Sequence, residues 1–147
     1  MFRQRGFTLI ELLIVIAVIS ILIGIALPRF RGMREEGLIA QAKGELRTLQ
    51  TAVESYYIHN RIYPATFPDD LETATPNIIG TTAPTDPFNI GNDYVFLQSP
   101  NAKYYVLYSV GPAGTGSATI SSTGVVTEDI GESCIYVSNG TLADTQP

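Results

Sequence analysis

Glu11 is the one ionisable side chain in an apolar run of 21 residues from Phe7 to Leu27. A carboxylate in hydrocarbon costs about 2.5 to 3.5 kcal/mol at mid-bilayer and less near an end, so Glu11 needs a partner. The residues alone offer the positive end of its own helix, whose first turn it occupies. Chemistry of other kinds finds no such footing. His59 is the only histidine and Cys134 the only cysteine, and neither stands in a local catalytic motif. His59 reads as a surface or cap residue near a helix end, and Cys134, in a strand-like run, as a small core residue. Gly111-Pro112-Ala113-Gly114-Thr115-Gly116 lacks a following lysine and helix, which makes it a turn rather than a phosphate cradle. Tyr56, Tyr57, Tyr104, Tyr105, Tyr108 and Tyr136 are spaced as packing residues of a helix and a sheet. No catalytic set emerges, and an enzyme is not expected.

The elements that position Glu11 follow from hydropathy. At ~1.5 Å per residue the apolar run spans roughly 31 Å as a helix, the thickness of a hydrocarbon core. It exceeds the apolar centre of about 7 to 15 residues found in a secretory signal peptide, and Gly24-Ile25-Ala26-Leu27-Pro28 makes a poor small-x-small cleavage site. Pro28 cannot donate to the carbonyl of Gly24 and crowds it, so the helix is expected to bend or open over that turn. Basic residues flank the run on both sides, Arg3 and Arg5 before it and Arg29, Arg31 and Arg34 after it, and charge alone does not orient it.

Beyond the run, apolar character narrows to a stripe of Phe30, Met33, Leu38, Ala42, Leu46, Leu49, Val53 and Tyr56, spacing that predicts an amphipathic helix to residue 61. Glu36, Lys43, Arg47, Glu54 and Arg61 form its expected solvated face. Tyr63-Pro64 ends the pattern. A proline-punctuated stretch follows, with a short helical turn at Asp69-Asp70-Leu71-Glu72. Strand signals come last, at residues 94–97, 104–110, 118–120, 124–127 and 134–137. The expected class is α+β, a long N-terminal helix packed on a small antiparallel sheet of three or four strands.

With 147 residues there is room for one membrane-length helix and one small domain. The formal net charge of -5 is unevenly spread: residues 62 to 147 hold nine acidic side chains and one basic one, Lys103. Such a surface repels phosphate backbones, and nucleic acid is not an expected partner. A lone cysteine excludes an intrachain disulfide.

Arg3-Gln4-Arg5-Gly6-Phe7-Thr8-Leu9-Ile10-Glu11 ahead of a membrane-length helix resembles the prepilin signature of type IV pilins and type II secretion pseudopilins. The resemblance implies a leader, residues 1–6, cut from the chain between Gly6 and Phe7 by a prepilin peptidase that also methylates the new amine of Phe7. It implies a transmembrane and filament-core helix over residues 7–28, its amphipathic continuation over 29–61, and a globular domain over 62–147 on the far side of the bacterial inner membrane from the leader. Glu11 would pair with the amine of a neighbouring copy, and the Gly24 to Pro28 stretch would melt as subunits pack. Partners would be copies of the chain, the peptidase, an inner-membrane assembly platform, minor pilins or pseudopilins, and the lipid membrane.

Tyr63-Pro64, Asp86-Pro87-Phe88, Asp93-Tyr94-Val95-Phe96 and Tyr105 to Pro112 resemble the major pseudopilin in particular. A filament that drives protein export is therefore expected ahead of a surface pilus for adhesion or motility, with a membrane-anchored binding module as the rival of another class. One departure concerns calcium, which major pseudopilins hold in an acidic loop. Here Thr115 to Thr127 contain no acid, and a site would have to borrow Asp86, Asp93, Glu128 or Asp129. No cofactor is expected, calcium being the one alternative left open.

Overall fold

The structure, a computed structural model, describes residues 7–80, 82–128 and 134–142, apart from the side chains of Arg31 and Leu142. Gly6 and Asp129 lie outside the described residues. The chain divides into two compact units, Met1–Glu36 and Gly37–Pro147.

Helix α1 runs from Leu9 to Asn60, 52 residues with Pro28 inside it. It is helical through the turn from Gly24 to Pro28, where a bend or an opening was expected. In the first unit the apolar side chains face outward, with Phe7 81%, Ile10 67% and Ile25 62% exposed. Phe30 and Met33, expected to continue the core stripe, are exposed as well.

In the second unit the stripe of α1 becomes a core. Ala42, Leu46, Leu49 and Val53 are all but fully buried, each larger side chain contributing about 1.5 to 3 kcal/mol of apolar burial. α1 ends at Asn60, just before Tyr63-Pro64, and the short α2 spans Asp69–Thr73. The turn into α2 is closed by Asp70, whose carboxylate accepts from the N–H groups of Ala65 at 2.7 Å and Thr66 at 2.9 Å.

The strands are β1 (Val95–Gln98), β2 (Tyr105–Ser109), β3 (Ala118–Ile120), β4 (Val125–Glu128), β5 (Ile135–Ser138) and β6 (Thr141–Leu142). They form two sheets. One is antiparallel in the order β1-β2-β5, and the other has the order β3-β4-β6 with β4 and β6 parallel. The expected single sheet is thus the first of two, and the reason lies in β2. All five of its residues are buried, the signature of a strand covered on both faces. Tyr105 and Leu107 pack toward α1 and the 63–83 loop, while Val106 and Tyr108 pack with Ala118, Ile120, Val126 and Cys134. β6 joins β4 through Gly140, where a Cβ would lie 2.1 Å from the Gly124 carbonyl oxygen; Thr141 N–H donates to that same oxygen at 2.8 Å.

Two phenols tie the sheet region to α1. Tyr94 OH donates to Glu45 at 2.6 Å and Tyr105 OH to Glu54 at 2.8 Å. Glu54 therefore does not belong to the solvated face expected of it. Burial, followed by these carboxylates, raises both phenols above their ordinary value of 10.0. Burial likewise pushes the Cys134 thiol from 9.0 up to about 11.

Above their ordinary values the unfolded chain sheds protons that the folded chain keeps, so stability is full below about pH 9 and falls as pH rises. Thermal unfolding followed by circular dichroism should show that alkaline decline. Tyr94→Phe and Tyr105→Phe should each cost about 1 to 3 kcal/mol at neutral pH and flatten the decline above pH 10.0.

Candidate assembly site at the start of the long helix

Thr8 and Glu11 close the N-terminus of α1 on each other. Glu11 Oε2 accepts from Thr8 N–H at 3.2 Å and from Thr8 Oγ1 at 3.0 Å, and Glu11 N–H donates to Thr8 Oγ1 at 3.3 Å. This is a capping box: two backbone donors that the first helical turn leaves without partners are satisfied reciprocally. Thr8 was not singled out from the sequence. The Thr-x-x-Glu spacing at the head of an apolar run was the signal that could have found it.

The own-helix partner considered for Glu11 thus exists, and it leaves chemistry over. Both carboxylate bonds end on Oε2, and Oε1 accepts none among the described residues. The site stands at the end of an exposed apolar rod, beside Phe7. Such a carboxylate can hold its own helix end and still take a cation from outside. α1 is long and apolar enough to cross a membrane, by length and composition. Further along, a Cβ added at Gly24 would meet nothing within 4 Å, so the single chain gives that glycine no packing reason.

The remaining singled-out residues do not assemble into a reactive set. His59 sits exposed in the last turn of α1, its Nδ1 2.8 Å from the Ser55 carbonyl oxygen. Cys134 is buried in the cluster outside β2.

Asp86, one of the acids a calcium site would have to borrow, is 2% exposed and already engaged. It accepts from Phe88 N–H at 2.9 Å, Ser109 Oγ at 2.7 Å and Val110 N–H at 3.0 Å. The following loop closes by backbone bonds, Gly116 N–H donating to the Val110 carbonyl and Gly114 N–H to that of Gly111, both at 2.9 Å. Asp93 and Glu128 lie exposed. Among the described residues no three His, Cys, Asp or Glu side chains gather as metal ligands.

A capped, exposed, membrane-length helix continuing into a small helix-and-sheet domain defines a pilin-type protein. Comparison with known proteins agrees. The prokaryotic N-terminal methylation motif matches residues 1–27, and the family profile "Type II secretion system (T2SS), protein G" matches residues 29–128. Type II secretion system core protein G of Escherichia coli (strain K12) is 32% identical over 125 residues, covering 76% of this chain and 84% of that relative. The protein of the same description from Pseudomonas aeruginosa is 28% identical over 125 residues, covering 76% and 86%. Fimbrial protein EcpB of Eikenella corrodens is 48% identical over 62 residues, covering 42% and 39%. No solved structure matches. The chain belongs to the type II secretion system protein G family.

Removing the cap by Thr8→Ala should cost about 1 kcal/mol of local helix stability, seen as faster amide exchange at Ile10 and Glu11 in detergent micelles, with Thr8→Ser close to wild type. Since hydrogen bonds close the 110–116 loop, the thermal midpoint of the chain should be the same in calcium and in EDTA.

Proposed function

We propose that this chain is a structural subunit of a type II secretion filament, cut between Gly6 and Phe7, methylated on the Phe7 amine, and assembled through α1 with copies of itself. The observation that carries this reading is Glu11, capped within its own helix yet keeping one carboxylate oxygen without a partner among the described residues, on a rod whose apolar side chains are exposed. In lipid those side chains are solvated by the bilayer. Outside lipid they must be covered, and copies of the same helix supply the same apolar surface.

Cleavage links processing to assembly. The amine of Phe7 does not exist until the leader is removed, and it remains cationic near neutral pH after methylation. Delivered by a neighbouring copy, it neutralises Glu11 where an unpaired carboxylate is most costly. Gly24 and Pro28 supply a turn that can open as helices pack, lengthening the chain without disturbing its side contacts.

In this reading the leader is cytoplasmic, the helix crosses the inner membrane once, and the globular domain lies in the periplasm. The further partners are the prepilin peptidase, an inner-membrane assembly platform and minor pseudopilins. The role is mechanical rather than catalytic and uses no cofactor. A surface pilus is the second reading, favoured by relatives named as fimbrial protein and type IV major pilin. The protein G match over residues 29–128, which takes in much of the globular part, ranks secretion ahead.

Intact-mass and N-terminal analysis of membrane-extracted protein should give a chain that starts at Phe7 and is one methyl group heavier than the unmodified sequence. Glu11→Gln should leave cleavage intact but lower filament yield at least about tenfold, in line with loss of a buried charge pair. Wild-type polymerisation by that variant would remove the basis of the assembly mechanism.

A further inference from the structure

The C-terminal end of α1 and the turn between β1 and β2 enclose a pocket of about 500 Å³. Tyr57, Tyr63, Tyr104 and Gln98 wall it, and Arg61 and Lys103 are among its other lining residues. The filament reading makes no use of it.

The walls are fixed before any ligand arrives. Tyr57 and Tyr63 stack with ring centroids 4.5 Å apart, and the Tyr63 hydroxyl accepts from Asn139 Nδ2 at 2.9 Å. Gln98 Nε2 donates to the Pro64 carbonyl. Tyr104 lies against Gly124, where φ is +83° and a Cβ would come within 2.8 Å of the ring. Only glycine accommodates both the conformation and the approach.

Arg61 and Ala102 are the only non-glycine residues with positive φ among the described residues, at 61° and 54°. Both line this pocket. Each stands where glycine would be the least strained choice. Arg61 follows the last residue of α1, its N–H donating to the Tyr57 carbonyl at 2.8 Å, and Ala102 closes the turn onto the Ser99 carbonyl at 2.8 Å. Left-handed backbone at a residue bearing a Cβ stores strain, and strain of this kind clusters at ligand sites. A glycine at 61 would end the helix more comfortably and would lack the guanidinium.

The charges point the same way. Lys103 is the only basic residue after Arg61, in a stretch with nine acids. Its backbone is pinned, the N–H donating to Asn101 Oδ1 and the carbonyl accepting from Asn139 Nδ2, both at 3.2 Å. Among the described residues its ammonium and the Arg61 guanidinium have no hydrogen bond or ion pair. Two cations beside fixed aromatic faces select a carboxylate carried on an apolar or aromatic body. The acid-rich surroundings would repel an extended polyanion but tolerate one local carboxylate.

We propose that this pocket binds an acidic segment of another polypeptide, a carboxylate held by Arg61 and Lys103 and a neighbouring side chain laid against Tyr57 and Tyr104. The test uses the full-length chain in detergent micelles and a short peptide with glutamates flanking a single tryptophan. The protein has no tryptophan, so peptide fluorescence, corrected for empty micelles, reports binding. Saturable binding is expected, at least about tenfold weaker for Arg61→Gly and for Lys103→Gln, unchanged for Lys43→Gln, and lost when glutamine replaces glutamate in the peptide. Arg61→Gly should melt no lower than wild type, which separates lost binding from lost folding. Absence of saturable binding, equal weakening by Lys43→Gln, or undiminished binding of the glutamine peptide would each overturn the proposal.

Discussion

The globular unit depends on one strand being buried from both sides. β2 places Tyr105 and Leu107 against the helix side and Val106 and Tyr108 against the second sheet. Both layers are therefore built on five residues. A strand in that position has no solvent face, so its side chains must be apolar or must carry a hydrogen bond. Tyr105 meets that condition through Glu54 and Ser109 through Asp86. Truncating Leu107 would open a cavity in the cluster it shares with Leu46 and Leu49, a change that ordinarily costs about 2 to 5 kcal/mol.

Much of this was legible in local sequence. The strand signals at 94–97, 104–110, 118–120, 124–127 and 134–137 coincide with β1 to β5, and Tyr63-Pro64 marks the end of α1. The unpolarised Tyr-Val-Leu-Tyr-Ser run of β2 was itself a sign of two covered faces. What local pattern does not carry is pairing at a distance. Glu45 meets Tyr94 and Glu54 meets Tyr105 across 49 and 51 positions, so a carboxylate on the polar side of a helical stripe gave no hint of a buried phenol. The parallel β4–β6 pair rests on the absence of a side chain at Gly140, which ordinary strand propensity does not register. At the helix start the Thr8 cap was local and readable, since it spans only the three residues from Thr8 to Glu11.

α1 answers to two solvents within one continuous helix. Up to Leu27 its composition is set by hydrocarbon, and its side chains stand exposed in the isolated chain. From Ala42 to Val53 a narrow stripe is set by the packing of the globular unit, while Lys43 and Arg47 stay outside. The protein G family profile and the methylation motif meet between residues 27 and 29, beside Pro28, close to where one demand gives way to the other.

The burial of Cys134 has a practical consequence. With its thiol pushed up to about 11, it holds almost no thiolate at neutral pH, and the thiolate is the reactive species. The native thiol is thus expected to react slowly with maleimides and disulfide reagents. Cysteines placed singly on α1 or on the sheet surfaces would carry spin labels or cross-linkers in an otherwise unmodified background, giving access to subunit geometry without first rebuilding the core.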